Sequence, residues 1–189
     1  MKRTKIKQLC LAGWNMLDPI YFYFTRLQHV KKKCGNKTIM RVRLTRYKGR
    51  DVTLCDGTII GKNDVLVKVH LHNVKLLNEI VQYKSDLRKG KIIYSRVKDS
   101  LPGVFDYIQS SSFKDEIKGL IGITTLYKGC KRLGFESYPI KNPVYKKFKQ
   151  TALMPIYFLS SSKQWKPESL EPMYLFMSKA TLLQRYGSH

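Results

Sequence analysis

Acidic side chains are scarce: 13 Asp and Glu stand against 36 Lys and Arg in 189 residues, a formal charge of +23. That imbalance disfavours cationic partners and points to nucleic acid, anionic lipid or a phosphorylated ligand. Long apolar runs are missing too. No stretch approaches the ~18 residues that cross a bilayer, so a transmembrane protein is not expected. The start, Met1 to Lys5, is basic, but the apolar stretch after it, Leu9 to Met16, is short and carries Gly13, Trp14 and Asn15. It has no clear small-residue cleavage site, and export is not expected. Cysteine is limited to Cys10, Cys34, Cys55 and Cys130, spaced by 24, 21 and 75 positions. With no CxxC and no His/Cys cluster, no metal site is expected, and the four read as free thiols in a reducing cytoplasm. Walker, GxGxxG, GxSxG and HExxH patterns are all absent, so neither a cofactor nor a catalytic signature is expected.

What is present describes a folded chain. Apolar residues make up 43% and charged residues 26%, and the length suits one domain with a core of its own. No repeat and no long linker divides it. Ile6, Leu9, Gly13, Leu17, Ile20, Phe24 and Leu27 recur at helical steps, so residues 1–30 are expected to form an amphipathic helical segment kinked at Asp18-Pro19. Residues 38–72 are expected to form an antiparallel β-meander. In it Met40, Val42 and Leu44 alternate with Arg41, Arg43 and Thr45, Asp56-Gly57 turns a hairpin, and Val65 to Leu71 alternates with Lys68, His70 and His72. Residues 73–189 follow as mixed helices and short strands. Asn73 is expected to cap a helix to about Arg88, and a second helix runs from about Lys91 to Gln109 with a kink or break at Pro102-Gly103. A strand lies at Gly119–Thr125, a basic aromatic helix opens at Pro143, and a last strand runs from Met173 to a helix capped by Ser178. The expected architecture is a single α+β domain with N-terminal helices and a meander.

The charge is uneven. Residues 1–50 hold fourteen Lys/Arg and one acid, Asp18, while Lys141, Lys146, Lys147, Lys149, Lys163 and Lys166 accumulate where no acid occurs between Glu136 and Glu168. Two constellations follow. On the meander, residues two apart share a face, so Arg41 and Arg43 point together, as do Lys68, His70 and His72. With Asn73 and the helix start after it, these six form a candidate pocket for a phosphate or sugar phosphate. His70 and His72 are also the only catalytic candidates that the pattern offers. The second constellation interleaves aromatics with cations at Trp14, Tyr21, Phe22, Arg26, Tyr145, Lys146 and Trp165, as suits a membrane surface, a partner protein or single-stranded nucleic acid. Cys130, beside Lys128, Lys131 and Arg132, is in a setting that can lower a thiol pKa.

The run Arg41-Val-Arg-Leu-Thr-Arg-Tyr-Lys-Gly-Arg50 resembles the YkoP-like family of small proteins from spore-forming bacteria. So do Asp56-Gly57, His70-Leu-His-Asn73, Leu133-Gly-Phe-Glu136, Leu17-Asp-Pro-Ile20, Met177-Ser178 and Arg185-Tyr186-Gly187, and the resemblance spans nearly the whole chain. Related members stand beside or are joined to glycosyltransferases and polysaccharide deacetylases, which implies envelope or spore-wall work and glycan-modifying enzymes as partners. No catalytic residue is carried by the resemblance. The segment Gly122 to Glu136 is also distantly similar to the last motifs of N-acetyltransferases, but Lys128-Gly129-Cys130-Lys131 lacks their glycine pattern.

The reading that follows is a basic cytoplasmic protein, peripheral on the inner membrane face, that binds an anionic, phosphate-bearing lipid or glycan partner. An RNA- or DNA-binding protein using the same face is the alternative, and a small acyl or glycan transferase with its site on the meander is the third.

Overall fold

A computed structural model describes residues 12, 13, 16, 19, 22, 23, 25–32, 35–160 and 171–187, with the side chains of Lys128 and residues 155–160 left aside. In it the alternating segment at the centre of the expected meander forms strand β2 (Lys37–Arg46). β2 pairs antiparallel with β1 (Gln28–Lys31) on one side and β5 (Val65–Leu71) on the other. β6 (Ile117–Thr124), β8 (Met173–Ser178) and β7 (Glu136–Pro139) complete a six-stranded sheet in the order β1-β2-β5-β6-β8-β7. Only β5 and β6 run parallel. A parallel pair needs a long crossover, and here three helices supply it: α1 (Asn73–Ile80), α2 (Asp86–Lys98) and α3 (Leu101–Gln109).

The period of two divides the sheet into unlike faces. One face carries Met40, Val42, Val65, Val67, Leu120 and Met177 into the main core. Leu77 and Ile80 of α1, Leu101, Val104 and Ile108 of α3, and Leu182 of α5 (Lys179–Tyr186) pack against it. The other face is apolar at one end only. There Leu66, Ile121 and Phe176 meet Tyr47 and the short hairpin of β3 (Val52–Thr53) and β4 (Ile59–Ile60), whose Leu54 and Ile60 are buried. Towards the other end the same face carries Arg41, Arg43, Lys68 and His70 instead. Helix α4 (Pro143–Ser160) lies over this half: Tyr145 stacks on Tyr174 of β8 at 6.4 Å, and α1 packs beside the helix.

Several expectations differ in detail. The meander is not continuous, because β3 and β4 leave the main sheet and form a two-stranded sheet of their own. Acids hold them there. The Asp56 carboxylate accepts hydrogen bonds from the Ser178 hydroxyl, from Thr181 Oγ1 at 3.2 Å and from the Thr58 amide at 3.0 Å. Glu136 accepts from the Cys55 amide at 2.9 Å, and Tyr138 donates to the Thr53 carbonyl at 2.7 Å. Gly57 turns the hairpin at φ 83°, a backbone setting that glycine adopts without strain.

The expected helical segment ends sooner than residue 30, since Gln28–Lys31 is an edge strand. Asn73 is the first helical residue and not the cap; His72 takes the cap position, with no side-chain capping bond. The helix expected to reach Arg88 stops at Ile80, because Ser85 caps a new one by accepting from the Arg88 amide at 3.4 Å. Pro102 falls in the first turn of α3, where its missing N–H costs nothing, so the chain breaks before the proline rather than kinking at it. Ser178 caps α5 as expected, accepting from the Thr181 amide at 2.9 Å. No helix among the described residues is long and apolar enough to cross a membrane.

Candidate functional site

Cross-strand register assembles the basic half of the second face row by row. His29 of β1, Arg41 of β2 and His70 of β5 are successive partners in one row. In the next row on that face Arg43 faces Lys68, which in turn lies beside Ile121 and, beyond it, Phe176. Helix α4 brings Lys149 over the row. Its ammonium sits 5.2 Å from the Tyr145 ring and 5.4 Å from the Phe148 ring, within electrostatic reach of Lys68 and Arg43. Five cationic or basic groups from three elements therefore converge: Arg41, Arg43, Lys68, His70 and Lys149.

Burial makes this arrangement costly. Arg41 is 4% exposed, and its guanidinium lies over the Phe22 ring at 4.7 Å. Arg43 donates from Nη1 to the Thr25 carbonyl at 3.4 Å, while its Nε is buried without a hydrogen-bond partner among the described residues. His70 Nε2 is likewise buried and unpartnered there. Desolvation pushes His70 down to about 3, and Lys68, Arg43, Lys149 and Arg41 add their repulsion to it. Lys68 is lowered to about 8, first by burial, then by Lys149 and Arg43. Lys149 is lowered by burial and by Arg43. Among the described residues, every charge that shifts these three groups is positive. His70 is therefore a neutral imidazole at physiological pH, able to donate from one nitrogen and accept at the other.

Five acids among the described residues are engaged elsewhere. Asp56 and Glu136 hold the hairpin, Asp64 pairs with Lys118 at 2.9 Å, Glu79 with Arg96, and Glu171 with Lys146 at 2.7 Å. The mutual repulsion of Arg43, Lys68 and Lys149 can be relieved by an anion brought from outside. Arg43 offers a guanidinium fork, Lys68 and Lys149 point charges, and His70 a neutral donor, a set that fits the oxygens of a phosphate group.

Of the residues singled out in the sequence, Arg41, Arg43, Lys68 and His70 come together. His72 lies one row further on, its ring 5.8 Å from His29, and Asn73 begins α1. Phe22 is half-buried, stacked on His29 at 4.7 Å beneath Arg41, and so forms a wall of the site. Arg26 is an exposed turn residue at φ 51°. Tyr145 is half-buried against Tyr174, and Lys146 is paired with Glu171. Trp14, Tyr21 and Trp165 lie outside the described residues. Sequence reasoning passed over His29 and Lys149. The first sits on a strand too short to show a period; the second carries one signal, its position four residues after Tyr145 on one helix face.

The two described thiols, Cys55 and Cys130, are not activated. Burial pushes Cys130 up to about 11, outweighing its basic sequence neighbours, and the Glu136 carboxylate raises Cys55. No group of three His, Cys, Asp or Glu that can hold a metal occurs among the described residues.

Comparison with known proteins shows the family. The YkoP domain matches residues 7–186. The chain is 47% identical over 185 residues to a protein of Bacillus subtilis (strain 168) named "Uncharacterized protein YkoP", covering 96% of this chain and 98% of that one. No solved structure matches. The chain belongs to the YkoP domain family.

Proposed function

We propose that this member of the YkoP domain family binds a phosphate-bearing anion between the sheet and α4, and that it does so at a membrane surface. One observation carries the reading: Arg43, Lys68, His70 and Lys149 converge from β2, β5 and α4, and among the described residues the charges that shift Lys68, His70 and Lys149 are all positive. Such a cluster disfavours the free protein and favours the complex with an anion, which is the energetic signature of a binding site rather than of a solvated surface.

The membrane part rests on the outer side of α4. Val144 is 78% exposed and Phe148 61% exposed, with Lys147 exposed between them. Apolar side chains at headgroup depth flanked by lysines suit anionic lipid, where each basic residue adds about 1 kcal/mol. The ligand is then a phosphate carried by a lipid or by a lipid-linked glycan, in keeping with the envelope role implied by the sequence resemblance. The chain would bind or present that intermediate for glycan-modifying enzymes.

A transferase reading has one observation of its own. Pairing between β5 and β6 ends at Lys68 and Ile121, although β5 runs on to Leu71 and β6 to Thr124. His70 follows this last paired row as a neutral imidazole that can donate one hydrogen bond and accept another from a substrate.

Flotation of nuclease-treated protein with neutral and with phosphatidylglycerol-containing vesicles, in the presence of competing RNA, tests the proposal. It predicts selective binding to the anionic vesicles that survives moderate salt and RNA and is released by inorganic pyrophosphate. Transfer into the RNA fraction, with affinity falling steeply with salt, would make the protein a nucleic-acid binder and overturn the membrane reading.

A further inference from the structure

We propose that the Lys68 amine is a nucleophile that forms an imine with the carbonyl carbon of a phosphate-bearing aldehyde or ketone. The inference rests on the anion-binding reading of the same cluster and names the ligand class that its chemistry suits.

Position is the first argument. Lys68 occupies the last β5 row paired with β6 and lies directly across from Arg43 of β2. Among the described residues, the charged and titratable groups around it are Arg43 across from it on β2, Lys149 from α4, and His70 with its partner Arg41 in the next row, while β6 presents Ile121. Lys68 makes no ion pair with a carboxylate among the described residues. Desolvation together with neighbouring cations is the setting that activates a lysine as a nucleophile. A pKa of about 8 leaves roughly a quarter of the amine unprotonated at about pH 7.5, against about one part in a thousand for an ordinary lysine. The same cations that expel the proton attract the phosphate of the incoming carbonyl compound, so one arrangement serves both binding and reactivity.

The step balances without an oxidant or reductant. The amine lone pair forms the C–N bond as the carbonyl π pair moves to oxygen, which takes up a proton. The ammonium nitrogen of the adduct loses a proton to water. The hydroxyl then takes up a proton from solvent and leaves as water, the nitrogen lone pair closes the C=N bond of a protonated imine, and hydrolysis reverses the sequence. Tyr145 and Tyr174, stacked beside Lys149, offer an aromatic wall to the body of the ligand.

Pyridoxal 5′-phosphate is a probe with both groups. The full-length protein is incubated with it, reduced with borohydride and mapped by mass spectrometry, while pyrophosphate binding is measured separately by calorimetry. Lys68 is expected to label at least about tenfold more than the exposed Lys147, and pyrophosphate to suppress that labelling. Lys68→Arg removes the nucleophile, and the dominant adduct is expected to disappear while labelling of Lys147 is unchanged. If pyrophosphate binds but Lys68 labels no more than Lys147, the nucleophile is overturned and the anion site stands. If pyrophosphate neither binds nor protects, the anion-binding reading falls and this inference falls with it.

Discussion

Removing a single cation from the cluster has two consequences of opposite sign. Lys68→Met takes away a charge that burial, Lys149 and Arg43 all disfavour, so the free protein gains stability, on the order of 1 kcal/mol once solvent screening is allowed for. The same change removes a ligand contact and weakens pyrophosphate binding about tenfold. A surface lysine of no function would show neither effect, so chemical denaturation and calorimetry on one variant test the residue's role. The pH dependence follows from the same shifts. Between about pH 8 and the ordinary lysine value the unfolded chain holds a proton on Lys68 that the folded chain has released, so this residue makes stability rise with pH across that window. The rise is read as the difference between wild type and Lys68→Met. His70 acts lower down. From the ordinary histidine value to about 3 the unfolded chain binds a proton that folded His70 does not, and stability is lost as the pH falls through that range. His70→Gln is expected to lose less stability than wild type on acidification to about pH 4.5, by up to about 2 kcal/mol. At this scale the sequence was informative where geometry is local. Arg41 with Arg43, and Lys68 with His70, share a face because a strand has period two. Lys149 and His29 reach the site only through the docking of α4 and the pairing of β1, which no local pattern encodes.

Elements are held by contacts between residues far apart in the chain, and these set which parts tolerate change. Ser178 both caps α5 and donates to Asp56, so Ser178→Ala loses the cap and the tether of the β3–β4 hairpin together. Its cost is expected at about 2 kcal/mol in equilibrium denaturation, the upper end for a cap. Asp56→Ala should cost less, since the cap remains, and should leave hairpin amides such as Leu54 faster to exchange. Gly119 has a different role: a Cβ there would overlap the Met177 carbonyl, so β6 and β8 close only over glycine. Gly119→Ala is expected to prevent folding or to lower the melting temperature by more than any change in the basic cluster. The principal elements β2, β5, β8, α4 and α5 were legible because each carries a clear period or cap. The departure of the β3–β4 hairpin from the sheet was not, because it depends on tethers from Glu136, Tyr138 and Ser178, more than 80 residues away.

For the whole molecule, composition indicated an α+β domain of strong positive charge, and both are features of the folded protein. Strand order was out of reach, since β8 inserts between β6 and β7 through pairing that local sequence does not mark. The excess charge is also not spread evenly in energy. Most lysines are exposed and contribute little one by one, whereas the interior cluster concentrates repulsion where water screens it poorly. Titration of the wild type and of Arg43→Ala with inorganic pyrophosphate, by calorimetry at physiological salt and about pH 7.5, tests the central claim most directly. Saturable binding at one site in the wild type, weakened about tenfold or more in a variant with an unchanged circular dichroism spectrum, is the predicted result. Equal affinity in the two proteins, or no binding in either, would contradict it.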